Sequence, residues 1–150
     1  MNDDILGGVR LRLATQSFAV LSTRGSDGAP HSTIVCFASA DEGRTLLFVT
    51  PRSTRKFANI LASPEVTLMV DDRTLFLGDL KDIWGIEARG PVEVVDDESS
   101  AYRQVFLAKF PDMADFVMAS SSALCRLRVR SYDVVHRFQE VMRVSPEEQP

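Results

Sequence analysis

Runs of β-branched, aromatic and alternating apolar residues recur along the chain and predict a protein built mainly from strands. Groups of turn formers, GSDGAP at 25–30 and DEGR at 41–44, separate the first three runs. In the third run apolar residues occupy both faces, so we expect that strand to be covered on both sides, as in a barrel whose outside packs on a helix or on a second subunit. The predicted strands are SFAVLSTR at 17–24, HSTIVCFA at 31–38, TLLFVT at 45–50, EVTLMVDD at 65–72, IEARGPVEVV at 86–95 and ALCRLRVRSYDVV at 123–135.

Helical patterns are fewer than strand patterns. Phe57, Ile60 and Leu61 follow the i, i+3, i+4 spacing of a helix that ends before Pro64. The other predicted helical segments are residues 3–15 and residues 97–118, the latter interrupted at Pro111.

This balance of elements predicts one domain over residues 1–150, mainly β with flanking helices, folded as an antiparallel barrel. Residues 73–85 are less regular and are expected to form a bulged connection. The tail from about residue 145 is expected to be disordered.

Composition narrows the functional classes. Hydrophobic residues make up 45% of the chain and charged residues 25%, as in ordinary globular proteins. The formal charge of −4 argues against a nucleic-acid partner, and no apolar run is long enough to cross a membrane. Cys36 and Cys125 are far apart and lack the spacing of a metal site, so we expect two buried thiols in a cytoplasmic protein without a metal centre.

One stretch, FVTPRSTRKFANIL at 48–61, has an unusual charge pattern for the start of a helix. Helix N-termini carry partial positive charge and normally attract acidic residues, yet Arg52, Arg55 and Lys56 surround the cap candidates Ser53 and Thr54. Cations are tolerated there when an anion binds to the free N–H groups. The stretch therefore indicates either an anion site or a solvated basic patch.

Side chains suited to catalysis are scarce. His31 and His136 are the only histidines, and neither lies in a known catalytic motif, so each is expected to be a turn or surface residue. Arg126, Arg128 and Arg130 form one strand face, which either binds a second anion or pairs with Glu87 or Glu93 of a neighbouring strand. Any chemistry is therefore expected to come from a cofactor.

The order of these parts resembles the FMN-binding split barrel of the pyridoxamine 5′-phosphate oxidase-like superfamily. The residues that carry the resemblance are FVTPRSTRKFANILASPEVTLMV at 48–70: a strand-terminal Thr, a short loop, a hydroxyl residue before Arg-Lys, an Asn-containing helix and a Pro-x-Val strand. The similarity covers roughly residues 15–95 and is only architectural beyond residue 97.

The resemblance implies a homodimer with FMN at the interface, an oxidoreductase activity and a small-molecule substrate. By position, it places the cofactor phosphate on a strand end and the following helix, and the flavin ring along the second strand. The implied phosphate contacts are Thr50, Thr54, Arg55 and Lys56, with Val49 beside them; the implied ring contacts are Thr33, Ile34 and Val35; and Trp84 is implied to reach the flavin of the partner subunit.

Departures from the family pattern argue against the vitamin B6 reaction itself. The second strand of true pyridoxamine phosphate oxidases carries an Arg and a Lys, whereas STIVCFAS at 32–39 has no cation. A cross-subunit amide side chain expected near the flavin falls at about Gly85. The alternatives are a reductase that uses the deazaflavin F420, a non-catalytic flavin- or haem-binding protein, and a barrel without a cofactor.

Overall fold

Strands dominate the computed structural model, which describes residues 2–73, 78, 80–96, 100–137 and 140–147. The strands are β1 Phe18–Arg24, β2 Pro30–Cys36, β3 Ala38–Ala40, β4 Thr45–Pro51, β5 Glu65–Asp71, β6 Gly85–Val94, β7 Ser122–Arg128, β8 Ser131–His136 and β9 Glu140–Val144. The α-helices are α1 Asn2–Thr15, α2 Arg55–Ala62, α3 Ser100–Lys109 and α4 Ala114–Met118. Short 3₁₀ turns lie at Asp41–Gly43, Leu80–Asp82 and Pro111–Met113.

The described strands pair into one curled antiparallel sheet. Its main path runs in the order β2-β1-β5-β6-β7-β4-β3, and β8 and β9 extend it from β6. The two ends of the path, β2 and β3, are joined through Phe37 alone. A sheet whose end strands are so connected must curl into a barrel, which confirms the predicted split-barrel class with flanking helices.

Strands β2 and β4 lie side by side in this barrel, yet none of the described ladders pairs them. We call the gap between β2 and β4 the seam. It is where the barrel is open, and it exposes the free backbone edge of β2.

The predicted second strand, 31–38, is interrupted at Phe37. This side chain is fully buried, and its N–H donates to the Ser17 carbonyl at 3.2 Å, in register with the last pair of the β1–β2 ladder. The interruption lets the chain pass from one end of the sheet to the other, which alternation of residue types alone does not reveal.

The prediction of a single strand over 123–135 is wrong, because the chain bends between β7 and β8. Strand β7 pairs with β4 and with the C-terminal part of β6, whereas β8 pairs with the N-terminal part of β6. At the bend, the N–H groups of Val129 and Arg130 donate to the carbonyls of Arg44 and Arg89, each at 2.9 Å. Strand β9, absent from the prediction, pairs with β8.

Two apolar clusters hold the barrel together. The larger fills its interior, and α1 contributes Leu6, Val9 and Leu13 to it. The smaller packs Leu47 and Val49 of β4 against helices α3 and α4. Strand β4 is thus covered on both faces, as predicted, and helices provide the outer cover.

The predicted helices match described elements in part. Helix α1 spans Asn2–Thr15, and the segment after residue 100 is interrupted at Phe110 before the 3₁₀ turn that starts at Pro111. Parts of three predictions lie outside the described residues: the helix start at 97–99, the connection at 74–77 and 79, and the tail at 148–150. None of the described helices is long and apolar enough to cross a bilayer.

One face of the sheet carries exposed apolar side chains. Phe18 of β1, Ile34 of β2 and Met69 of β5 point outward, with 63%, 71% and 40% of their surface exposed. Val20 lies directly between Ile34 and Met69 in the strand registers. We call these four residues the outer apolar face.

Candidate functional site

The end of β4 and the start of α2 bring together four residues predicted to bind a phosphate. Thr50 is fully buried, and its Oγ1 lies 2.8 Å from Oγ1 of Thr54, so the two hydroxyls are hydrogen-bonded. Thr54 is the N-cap of α2 and accepts a hydrogen bond from the N–H of Phe57 at 3.4 Å. We call Thr50, Thr54, Arg55 and Lys56 the β4–α2 cradle.

Two main-chain donors at this helix start have no acceptor within the described part of the chain. The cap hydroxyl of Thr54 satisfies Phe57, and the Ala58 N–H donates to the Thr54 carbonyl at 3.2 Å. The N–H groups of Arg55 and Lys56, which come before Phe57 in the chain, have no protein partner among the described residues. Such free N–H groups are available to an anion.

Within the described part of the chain, no carboxylate neutralises the cations of the cradle. Arg12 and Arg130 each form an ion pair, with Asp72 at 2.8 Å and Glu65 at 2.5 Å. Neither Arg55 nor Lys56 has a carboxylate at ion-pair distance among the residues that are described. Their positive charge therefore remains at a helix end that already favours anions.

Arg52, by contrast, serves the loop before α2. Its guanidinium pairs with Asp96 and donates to the carbonyls of Ser120 and Ser122. Burial alone would raise the pKa of Asp96, but hydrogen bonds from Arg52 and from the Leu124 N–H, with the charges of Arg52 and Arg103, lower it. Arg52 thus fixes the loop and is not free for a ligand.

We expect Asp96→Asn to lower the free energy of unfolding by about 1.5–3 kcal/mol at pH 7, because a charge-assisted contact is lost. The native pKa of Asp96 is lowered, so its contribution is complete above the unfolded pKa of about 4 and disappears as pH falls through the native pKa. Urea unfolding at pH 7 and near pH 3 measures this. Asp112→Asn, at an exposed position, is the control; an equal loss in both variants would contradict the assignment.

The predicted ring contacts lie on the other side of the seam. Val35 points into the core, Ile34 points outward, and Thr33 is half-buried on β2, whose open edge faces the seam. A side-chain contact links the two sides, since Nη1 of Arg55 lies 3.2 Å from Nδ1 of His31. The fold therefore brings the two predicted groups of residues to one opening, although their contact with a cofactor stays a prediction.

Val49 and Trp84 lie in packed surroundings. Val49 belongs to the cluster beneath α3 and α4. Trp84 stacks on His136 with ring centroids 5.4 Å apart, and the Arg12 guanidinium lies 3.7 Å from its ring centroid. Trp84 also packs so closely on Gly8 that a Cβ there would lie 2.5 Å from the indole. The role of Trp84 at a partner's flavin stays a prediction.

The predicted arginine face is paired with carboxylates, but only its β7 members contact a predicted partner, Glu93; Arg130 lies in the bend after β7 and has a partner that was not predicted. Arg126 and Arg128 contact Glu93 at 2.5 and 3.3 Å, and Arg130 contacts Glu65. The hydrogen bond from Arg126 is the main cause of the lowered pKa of Glu93. Two carboxylates therefore compensate two of the three arginine charges.

Other titratable groups lie away from the cradle. Cys36 and Cys125 are unpaired, and burial raises the pKa of Cys125 to about 12, so it is an inert core thiol. Burial lowers the pKa of Lys109 to about 8; its Nζ donates to the Leu13 carbonyl near the end of α1 at 3.1 Å. No group of three or more metal-binding side chains is found in the described ranges.

Sequence reasoning missed the attachment of α2 to the β1–β2 hairpin. Asn59 donates a buried hydrogen bond from Nδ2 to Oγ1 of Thr23 at 3.0 Å, and His31 contacts Arg55. Thr23 and His31 are directly opposite each other in the ladder. The Asn of the helix was part of the quoted motif, but nothing in the sequence identified its partner.

Comparison with known proteins places this geometry in a family. The family model described as pyridoxamine 5′-phosphate oxidase matches residues 8–135. No curated protein sequence matches the chain significantly.

Solved structures share the fold at low sequence identity. A haem-binding protein from Mycobacterium smegmatis is 16% identical with a TM-score of 0.84 over 95% of this chain, and the chain spans only 58% of that protein. An FAD-binding protein from Mesorhizobium loti is 16% identical with a TM-score of 0.67, covering 83% of this chain and 88% of its own. An F420 reductase is 23% identical with a TM-score of 0.63, covering 82% and 94%. These similarities establish the fold alone.

Proposed function

Because this chain belongs to the pyridoxamine 5′-phosphate oxidase family, we propose that it is an FMN-binding flavoprotein that acts as an oxidoreductase on a small molecule. The observation that supports this most directly is the β4–α2 cradle. The half-buried hydroxyl of Thr54, two cations without a carboxylate partner in the described part of the chain and two N–H groups without a described acceptor converge at the start of one helix. Charged and polar donors of this kind are what a phosphate dianion requires.

The residues present fit the phosphate of FMN. Thr54 offers a half-buried hydroxyl, and its hydrogen bond to the fully buried Thr50 holds it in place, so little ordering is needed on binding. Arg55 and Lys56 supply charge, and their N–H groups supply further donors. The open edge of β2 offers the backbone groups of Ile34 on the other side of the seam, because the hydrogen bonds to β1 fall on the alternate residues Thr33 and Val35.

When bound, the flavin supplies hydride transfer, and the chain supplies position and electrostatics. The cradle anchors the phosphate end, and strand β2 lies where it can align the ring along the seam. No described histidine or carboxylate lies within the cradle as a general acid or base except His31, whose Nδ1 faces Arg55. Because the described residues offer so few acid or base groups at the cradle, the site suits a reaction in which the cofactor carries the chemistry.

We place the cofactor at the interface of a homodimer that forms through the outer apolar face. Exposed Phe18, Ile34 and Met69 lie next to each other on a sheet surface that no described helix covers. A contiguous exposed apolar patch of this kind is typical of an interaction surface. Ile34 belongs both to this face and to the predicted ring contacts, which supports a shared site. The cytoplasmic location stays a prediction.

The geometry favours FMN over the alternatives. Haem needs an axial ligand, but His31 contacts Arg55 and His136 stacks on Trp84. The long acidic tail of F420 would need a free basic groove, whereas Arg126, Arg128 and Arg130 are paired with carboxylates. No observation on the described residues supports either ligand more strongly than FMN.

Co-elution of FMN with the purified protein tests the proposal. After incubation with excess FMN and gel filtration, we expect visible flavin bands under a protein peak of dimeric size. Trp84 is the only tryptophan, so quenching of its fluorescence reports whether it lies near the bound ring. A colourless protein peak would refute FMN as the ligand, and coloured protein eluting as a monomer would refute the interface.

A further inference from the structure

Arg55 is held by a neutral partner rather than by a carboxylate. Its Nη1 lies 3.2 Å from Nδ1 of His31. A guanidinium can only donate hydrogen bonds, so Nδ1 must accept and the neutral ring carries its proton on Nε2. A neutral imidazole orients the guanidinium without cancelling its charge. The carboxylates that face Arg12 and Arg130 orient the guanidinium and also cancel its charge.

The position of His31 is itself fixed by the fold. His31 and Thr23 are opposite each other in the β1–β2 ladder, and Thr23 accepts the buried hydrogen bond of Asn59. Arg55 and Asn59 are one helical turn apart in α2 and lie on the same face. Two side-chain contacts therefore attach this face of α2 to the hairpin, one buried and one exposed.

We propose that His31 is a positioning residue that aims Arg55 at a phosphate monoester while leaving its positive charge intact. This inference rests on the proposed function, since it assigns a residue to the phosphate end of the same site. Only one of the guanidinium donors is used by His31, so the others remain for phosphate oxygens. Strand β2 thereby acts on both ends of the cofactor: directly along the ring and through His31 at the phosphate.

Titrations with FMN and riboflavin test this role, because the two ligands differ only in the phosphate. His31→Ala should weaken FMN binding about three- to tenfold, the cost of ordering a released Arg55, and leave riboflavin binding unchanged. His31→Asn keeps a neutral acceptor and should retain most of the FMN affinity. Ser32→Ala, on the same strand, removes an exposed hydrogen bond to Ser22 and serves as the matched control.

His31→Asp separates orientation from charge. The carboxylate would hold Arg55 at least as firmly, but it would neutralise the charge and repel phosphate, so FMN affinity should fall below that of His31→Ala. If the contact with His31 only stabilised the structure, FMN affinity would instead be higher in His31→Asp than in His31→Ala. FMN affinity in His31→Asp at or above wild type, or a parallel loss of riboflavin affinity in His31→Ala, overturns the proposal.

A further measurement separates this inference from the proposed function. If wild type binds FMN no more tightly than riboflavin, the assignment of FMN to the cradle fails. Thermal stabilisation by inorganic phosphate is then compared across the same variants. A shift that is reduced in His31→Ala and lost in His31→Asp upholds His31 as the residue that aims Arg55, and equal shifts in all variants overturn it.

Discussion

Replacing Arg55 and Lys56 together by alanine is expected to abolish retention of FMN. Each charge-assisted hydrogen bond contributes on the order of 1.5–3 kcal/mol, so losing both should weaken binding by about a hundredfold to ten-thousandfold. Isothermal titration with FMN measures the effect. The change is specific to the cradle because neither cation has a carboxylate partner among the described residues whose loss would disturb the fold.

A charge-matched control accompanies this variant. Arg128→Ala with Arg143→Ala removes the same net charge from exposed positions, where the side chains keep 55% and 65% of their surface exposed. We expect this control to bind FMN as wild type does. Unchanged affinity in the Arg55/Lys56 variant would refute the phosphate assignment, and equal losses in both variants would indicate non-specific attraction of the anionic ligand.

Gly90→Ala is expected to destabilise the barrel by roughly 3 kcal/mol or more. A Cβ at Gly90 would lie 1.9 Å from the carbonyl oxygen of Arg128, which is backbone and cannot rotate away. Overpacking that side chains can absorb costs about 1–3 kcal/mol, and here the β7 strand itself would have to move. Urea unfolding followed by far-UV circular dichroism measures the loss.

Gly85 provides the control on the same strand. A Cβ at Gly85 meets nothing within 4 Å, so Gly85→Ala should be neutral or stabilise by up to about 1 kcal/mol through the unfolded state. Gly90→Ala with wild-type stability would mean that β7 does not cross β6 as closely as described. Similar losses in both variants would point to strand flexibility rather than the close approach.

The close approach of Gly90 to the Arg128 carbonyl occurs next to the bend between β7 and β8, which the sequence pattern partly concealed. Alternation runs through Arg126, Leu127, Arg128 and Val129, which reads as one straight strand. The chain instead bends after Val129, and the buried positions shift by one, to Tyr132 and Val134. Alternation reports which face of a strand is buried, but not which neighbour the strand pairs with.

The cradle was predictable to a greater degree because its signals are local. The hydroxyl at Thr54, the cations at Arg55 and Lys56 and the stripe of α2 lie within one short stretch, where cap and helix rules apply. The sequence did not predict that Arg52 is unavailable for a ligand at the cradle, since its partner Asp96 is distant in sequence. The sequence could not distinguish a cation that binds a ligand from one that braces a loop.

By itself the sequence determined that the chain is mainly β, that an amphipathic helix follows β4, and that hydroxyls and cations gather at its start. These are consequences of periodicity and helix-end chemistry, which act over a few residues. Only the tertiary structure decided that Phe37 joins the two ends of the sheet, that β2 faces the cradle across the seam, and that His31 contacts Arg55. Those contacts join segments far apart in the chain, and they arise from closure of the barrel rather than from any local pattern.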